Sequence, residues 1–196
     1  QDALDSLLYK SPTVTSLTTT YSGGTTLEMG TVLASVTFNW TYNKDITSQA
    51  FANVNLDPSI RTYTYNRGIF NTTTLSLTAS DGKNSCSKSI TFTYANRIFY
   101  GVSSTNTYNV ALLRSLSNTL SNSKARNFTV NASSNQYIFY AVPTRLGGCK
   151  FAVHGFEGGF EKVATISYTN SQTYTESYDI YKSDNPNLGN TTVVVS

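Results

Sequence analysis

The strongest constraint on the fold is an alternation of apolar and polar residues that recurs along most of the chain. In "TVLASVTFNWTY" every second residue is apolar, namely Val32, Ala34, Val36, Phe38 and Trp40. The segments "TTTLSLTAS" and "SKSITFTY" repeat this spacing. Successive side chains of a β-strand point to opposite faces, so the spacing predicts strands with one buried face and one exposed face.

Between residues 13 and 95, roughly seven such segments are separated by turn sequences such as "SGG", "NRG" and "DG". Short strands with regularly spaced turns are typical of an immunoglobulin-like β-sandwich, which we predict for residues 13–95. Trp40 is expected to anchor the core of this sandwich rather than to offer a platform for a ligand. Cys86 has no partner cysteine before Trp40, so the disulfide of antibody domains is not expected.

Residues 96–196 predict a second β-rich module that contains one short helix. Leu112, Leu116 and Leu120 recur every four residues, and Asn109 is a suitable N-cap, so we predict a helix near 109–122 that covers a sheet. Six further segments predict strands: "NFTVNAS", "QYIFYAVP", "KFAVHGF", "VATISYTN", "YTESYDIYKS" and "TTVVVS". Residues 1–12 predict a linker or the end of an upstream helix, which Pro12 terminates.

Composition narrows the classes of function. Charged residues make up only 13% of the chain, and the net charge of +3 comes from dispersed Lys and Arg residues. Nucleic-acid binding usually requires a clustered basic face, so we expect no nucleic-acid partner. The apolar runs are too short for membrane insertion. The chain starts "QDALDSLLYK", without Met or the pattern of a signal peptide, which favours a fragment or a processed product of a longer protein.

The segment "GGCKFAVHGFEGGFEK", residues 147–162, holds the single histidine, His154, and one of the two cysteines, Cys149. If "CKFAVH" is one strand, these residues lie about 16 Å apart and on opposite faces. We therefore predict no catalytic Cys/His pair, and we place a hairpin turn at the glycines between "KFAVHGF" and "EKVATISY". Cys86 and Cys149 allow a single disulfide, fewer than a secreted scaffold that depends on disulfides usually carries.

Acidic residues give little support to a metal or hydrolase site. Glu157 with Glu161 and Glu176 with Asp179 are the closest groupings, and neither is joined by clustered His or Cys residues. Two acids on a β-face could in principle hydrolyse a glycoside, but no spacing singles out a pair. We expect no metal, no cofactor and no catalytic residue.

Aromatic residues are the candidate binding residues. Tyr168, Tyr174 and Tyr178 cluster near the C-terminus, and Phe156 and Phe160 flank the glycine-rich turn. Rigid amphipathic rings are frequent in binding surfaces, which favours these five residues as contacts for a glycan or a protein. The alternative interpretation is that tyrosine is simply a good strand residue.

The segments "SVTFNWTYNKDITSQ", "TTTLSLTASDGKNS" and "ITFTYANRIFYGVS" resemble an immunoglobulin-like repeat of bacteriophage tail-fibre and appendage proteins. The segment from "QYIFYAVP" to "NLGNTTVVV" is similar to the C-terminal module that often follows this repeat. The resemblance covers residues 13–196. It implies a non-enzymatic virion protein that acts as a homotrimer or other homo-oligomer. The implied partners are other virion proteins and a glycan or protein on the host cell surface.

Two alternatives to a tail fibre that attaches to the host remain open at this point. One is a purely architectural fibre or decoration protein of the head or neck. The other is a bacterial secreted module for carbohydrate binding or adhesion, and a cell-wall hydrolase domain is a third, more distant possibility.

Overall fold

The computed structural model describes residues 8–196. The predicted linker or helix end at residues 1–12 lies, up to residue 7, outside the described residues. Strands dominate and their sheets are antiparallel, which confirms the prediction of a mainly β chain. The chain divides into two compact units. Unit 1 comprises residues 8–27 and 31–94, and unit 2 comprises residues 28–30 and 95–196.

Unit 1 is built from two sheets. Its strands are β1 (Val14–Thr19), β2 (Thr26–Glu28, whose last residue belongs to unit 2), β3 (Val36–Tyr42), β4 (Ser48–Phe51), β5 (Val54–Leu56), β6 (Thr62–Tyr65), β7 (Thr73–Ser80) and residues 85–94 of β8 (Ser85–Ser103). One sheet has the order β1-β3-β6 and the other the order β5-β4-β7-β8, while β2 pairs with β8.

Aromatic side chains join the two sheets of unit 1. Phe38 and Trp40 of β3 contact Phe51 of β4, with ring centroids 4.8 Å and 5.6 Å away, and the Trp40 and Phe51 rings are stacked. Trp40 is only 2% exposed, which confirms its predicted place in the core. The strand containing it is shorter than predicted. It begins at Val36, and Val32 is 64% exposed because the bridge to Ile69 is made by its neighbour Leu33.

The outer face of the β7–β8 hairpin carries hydroxyl groups and no charge. Its two strands place eight Ser and Thr residues opposite one another: Thr74 with Thr91, Ser76 with Ser89, Thr78 with Ser87 and Ser80 with Ser85. Side-chain oxygens join the first two pairs at 2.8 Å. Such pairs stabilise neighbouring strands. We call these eight residues the hydroxyl rows.

Unit 2 contains residues 95–103 of β8 and all later elements. These are helix α1 (Val110–Ser115), β9 (Ser117–Ser121), β10 (Arg126–Ala132), β11 (Tyr137–Pro143), a 3₁₀ turn (Thr144–Leu146), β12 (Phe151–Val153), β13 (Phe156–Glu157), β14 (Phe160–Thr169), β15 (Thr175–Ser183) and β16 (Gly189–Val195). One sheet has the order β14-β15-β11-β8, with β9 on the far side of β8, and the other has the order β10-β16-β12-β13. All six predicted strand segments contain strands.

Strand β11 lies between the two hydrophobic cores of unit 2 and contributes side chains to both. Ile138 and Tyr140 point towards the sheet that contains β10, β12 and β16, whereas Phe139 and Ala141 point towards helix α1. All four side chains are fully buried. A strand covered on both faces needs a continuous apolar run, and "YIFYAVP" supplies it.

The helix is shorter than predicted. Asn109 caps it as expected, since its side chain accepts hydrogen bonds from the backbone N–H groups of Ala111 and Leu112. The helix nevertheless ends at Ser115, and Leu116 has an extended backbone. Leu120 lies in β9, opposite Arg97 of β8. The helical spacing of the leucines was misleading because "SNT" forms helix poorly and the edge of β8 offers a strand partner instead.

Residues 28–30 are fixed to unit 2 by polar contacts. Arg97 donates two hydrogen bonds to the buried carboxylate of Glu28, at 3.0 Å and 2.9 Å. The Met29 N–H donates to the Ala95 carbonyl, and the Asn170 side chain donates to the Met29 carbonyl. A two-pronged arginine–carboxylate contact also fixes orientation, so this short segment is held in one position.

Candidate functional site

The glycine-rich segment forms a tight hairpin, which differs from the predicted turn. The reversal occurs at His154 and Gly155, whose φ angles are +51° and +85°. Two successive positive φ values are required by the two-residue turn that best matches the twist of paired strands. Val153 lies opposite Phe156 across this turn. Gly158 and Gly159 instead connect β13 to β14, which belongs to the other sheet. We call residues 151–157 the aromatic hairpin.

Phe156 and Phe160, the two predicted contacts in this segment, have different environments. Phe156 is 80% exposed at the tip of the aromatic hairpin. Phe160 is half-buried and stacks on Phe151, with 4.3 Å between ring centroids and 11° between ring planes. Phe160 therefore supports the base of the hairpin, and Phe156 is the exposed ring of the two.

A recess of about 270 Å³ lies beside this stack. It is lined by six residues that include both charges and aromatic rings: Cys149, Lys150, Phe151, Glu157, Gly158 and Phe160. Sites for small ligands typically combine apolar walls with a few polar groups that fix orientation. The recess has this combination, with one cation and one carboxylate beside two phenyl rings.

Cys149 and His154 stand at opposite ends of β12. Cys149 precedes the strand, and its backbone N–H donates to the Tyr181 hydroxyl at 3.1 Å. Burial raises the pKa of the Cys149 thiol to about 11. A thiol with so high a pKa is a poor nucleophile at neutral pH. His154 occupies the exposed hairpin turn, and both cysteines are free thiols.

Tyr168 and Tyr178, two predicted contacts, belong to the core. They pack with Phe99 at centroid distances of 5.2 Å and 5.6 Å, and Tyr178 donates a hydrogen bond to the Arg97 carbonyl. Their exposed fractions are 8% and 2%, so their rings are not accessible to a ligand. Burial also raises the pKa of the Tyr178 hydroxyl.

Tyr174 is half-buried in the loop between β14 and β15. A Cβ atom at Gly30 would come within 2.8 Å of the Tyr174 Cβ, and Gly30 has a φ of +90°. Only glycine suits that position, so Tyr174 is tightly packed on residues 28–30. Tyr174 therefore makes a structural contact with this segment through its Cβ atom.

Two of the four acidic residues considered as metal ligands, Asp179 and Glu176, have protein partners. Asp179 accepts hydrogen bonds from Thr165 at 2.6 Å and Thr144 at 3.1 Å, and Lys162 lies 3.4 Å away. Glu176 pairs with Arg145 at 3.1 Å. Within residues 8–196, no three His, Cys, Asp or Glu side chains are grouped to hold a metal ion.

Sequence reasoning missed the position of the hairpin turn and the buried polar residue Gln49. The turn "HG" is not one of the common hairpin pairs such as Asn-Gly, so the sequence pattern favours a turn at the following glycines instead. Gln49 gave no sequence signal, although its buried side chain makes four hydrogen bonds in unit 1.

Within residues 8–196, no helix has the length and hydrophobicity to cross a membrane. Comparison of the sequence and structure with models of protein families, with curated proteins and with solved structures finds no match.

Proposed function

We propose that this chain is a non-enzymatic module of a bacteriophage tail fibre or related appendage, and that it contributes to attachment to the host surface. The observation that carries the proposal is Phe156, an aromatic ring exposed at the tip of a hairpin with a charged and aromatic recess at its base. The phrases that resemble phage fibre modules support the virion location. The partner that fits this surface best is a glycan, because a ring can stack on a sugar while Lys150 and Glu157 bind its hydroxyl groups.

We further infer that unit 1 is an immunoglobulin-like sandwich. If β1, β3, β4, β5, β6, β7 and β8 are lettered A, B, C, C′, E, F and G, the two sheets of unit 1 have the orders A-B-E and C′-C-F-G. These orders match the two sheets of the immunoglobulin fold. Strand β2 pairs with β8, which is the last strand of unit 1. An experimental structure with another strand order in these two sheets would contradict the inference.

The attachment proposal is tested by removing the exposed ring. The 196-residue chain, displayed in many copies on beads, is assayed on an array of bacterial surface polysaccharides and on bacterial cells. Many copies are needed because multivalency strengthens weak contacts by about 10²- to 10⁴-fold. Phe156→Ala should weaken binding by about tenfold or more, as expected for an aromatic anchor.

Val194→Ala is the matched control. Val194 is also an exposed apolar residue, 41% accessible, on a strand next to the hairpin. This variant should bind like the wild type. Absence of binding to every surface would refute attachment and favour the purely architectural role. Binding that is equally strong with Phe156→Ala would place the contact elsewhere on the chain.

A further inference from the structure

Strand β14 forms the edge of the larger sheet of unit 2. It has 10 residues, Phe160–Thr169, and in residues 8–196 it pairs only with β15. Most strands in globular proteins have about 5–6 residues. An edge of this length presents a row of unpaired backbone N–H and C=O groups, which is a template for another strand.

The register with β15 identifies these unpaired groups. The Asn170 N–H donates to the Tyr174 carbonyl at 2.9 Å. Bonding alternates along an antiparallel pair, so Ala164, Ile166 and Tyr168 bond to β15. The N–H and C=O groups of Thr165, Ser167 and Thr169 therefore point away from the sheet. Within the described chain, no backbone hydrogen bond uses them.

Only the first part of this edge is protected against pairing. Charged side chains and irregular strand geometry are the usual means by which proteins block an edge. Glu161, Lys162 and the register shift between Lys162 and Ala164 supply both. From residue 164 to residue 169 the sequence "ATISYT" has no charge, no proline and no irregularity.

We propose that β14 pairs antiparallel with β14 of a second copy of this chain, about a two-fold axis at Ser167. Thr165 then faces Thr169 of the second copy, and Ser167 faces its own counterpart. Each of these opposing pairs exchanges two backbone hydrogen bonds. Ile166, which is half-buried in one copy, lies opposite Tyr168 of the other and gains apolar cover.

The occupant is a second copy because the edge is complementary to itself. The unprotected window ends at the bulge on one side and at the β14–β15 loop on the other, so a register centred on Ser167 uses every outward residue. Glu161 and Lys162 lie before the bulge, outside the paired residues 165–169, so no like charges meet in this register. The proposal is independent of attachment through the aromatic hairpin.

Sedimentation velocity of the full 196-residue chain, from about 1 μM to about 1 mM, tests the pairing. The wild type should convert from monomer to dimer as its concentration rises. Ser167→Pro removes an outward N–H from each copy and breaks no bond to β15, so the fold is kept. The loss of two hydrogen bonds should raise the dissociation constant by about 5- to 150-fold.

A pair of lysine variants provides a second test that does not depend on proline. Ser167→Lys places like charges directly opposite each other at the two-fold axis and should prevent the dimer. Ser177→Lys is the matched control, since Ser177 is exposed and lies opposite Ser167 on β15, one strand from the edge. Its dimer should persist.

Hydrogen exchange identifies the strand that pairs. The amides of Thr165, Ser167 and Thr169 should exchange more slowly as dimer forms, while those of Ile166 and Tyr168 are already protected in the monomer. A chain that stays monomeric, a trimer without dimers, or a dimer that survives both Ser167 variants would overturn the proposal.

Discussion

The buried amide of Gln49 gives the sharpest prediction about the stability of unit 1. Its oxygen accepts hydrogen bonds from the Trp40 indole at 3.0 Å and the Tyr42 hydroxyl at 2.9 Å. Its nitrogen donates to the carbonyls of Asp57 at 2.6 Å and Ile60 at 2.9 Å. The amide thus links β3, on one sheet, to the loop between β5 and β6. It is 5% exposed, so water cannot replace it without rearrangement.

Gln49→Leu removes all four hydrogen bonds and keeps a side chain of similar size. The indole N–H of Trp40 is then buried without a partner, which costs about 1–3 kcal/mol. Each loop carbonyl loses a bond that contributes about 0.5–1.5 kcal/mol. The hydroxyl of Tyr42 is half-buried and can turn towards water. The free energy of unfolding of unit 1 should therefore fall by about 2–6 kcal/mol.

A double-mutant cycle with Trp40→Phe isolates the indole contribution. The Trp40→Phe variant has no indole N–H that could lose its partner. In this variant Gln49→Leu should therefore lower the free energy of unfolding by about 1–3 kcal/mol less than in the wild type. Urea unfolding followed by circular dichroism compares all four proteins. Trp40 is the single tryptophan of the chain, so its fluorescence identifies the unit 1 transition where the indole is present.

Additive effects would refute this reasoning. Independent sites add to within about 0.3–0.5 kcal/mol, so a smaller coupling than this would mean that Gln49 does not satisfy the indole. Gln172→Leu, at an exposed glutamine of unit 2, is the control and should change stability by less than about 0.5 kcal/mol.

Two further predictions concern titratable groups. The backbone N–H of Asn84 and the ammonium group of Lys44 hold the pKa of Asp81 well below its usual range. The stabilisation that these contacts give is complete above the unfolded pKa of about 3.9 and is lost as the pH falls towards the folded value. The free energy of unfolding of the Asp81→Asn variant should therefore fall less steeply in acid than that of the wild type. An unchanged pH profile would contradict this. The pKa of the Cys149 thiol, raised to about 11 by burial, should slow alkylation at pH 8 by about a hundredfold relative to the urea-unfolded chain. Mass spectrometry of a Cys86→Ser variant measures this rate, and equal rates in the two states would exclude a buried thiol.

Much of the strand arrangement could be predicted because alternation reports directly which side chains are buried. Phe38 and Trp40 share a face and meet Phe51 of the facing sheet, as the spacing indicates. The continuous run in β11 is equally informative, since only a strand covered on both sides tolerates it. Local pattern was sufficient in these segments because burial and propensity favour the same structure.

Prediction failed where the outcome depends on a distant partner. Leu116 and Leu120 follow a helical spacing, but the free edge of β8 recruits this segment as a strand. Tyr168 and Tyr178 are typical binding residues by type, yet both are buried because helix α1 covers their face of the sheet. Phe156 is the exposed one of the two phenylalanines because the chain turns at His154, whose positive φ is uncommon for a residue other than glycine, although histidine is enriched there.

The hydroxyl rows give unit 1 a face without charged side chains. Their four opposing pairs extend along about 20 Å of sheet without a charged side chain. This exceeds the Debye length of about 8 Å at physiological ionic strength, so charges elsewhere on the surface are largely screened from the middle of the rows. A partner that approaches this face meets dipoles rather than a net field. At and above physiological ionic strength, its rate of encounter there should depend little on the salt concentration.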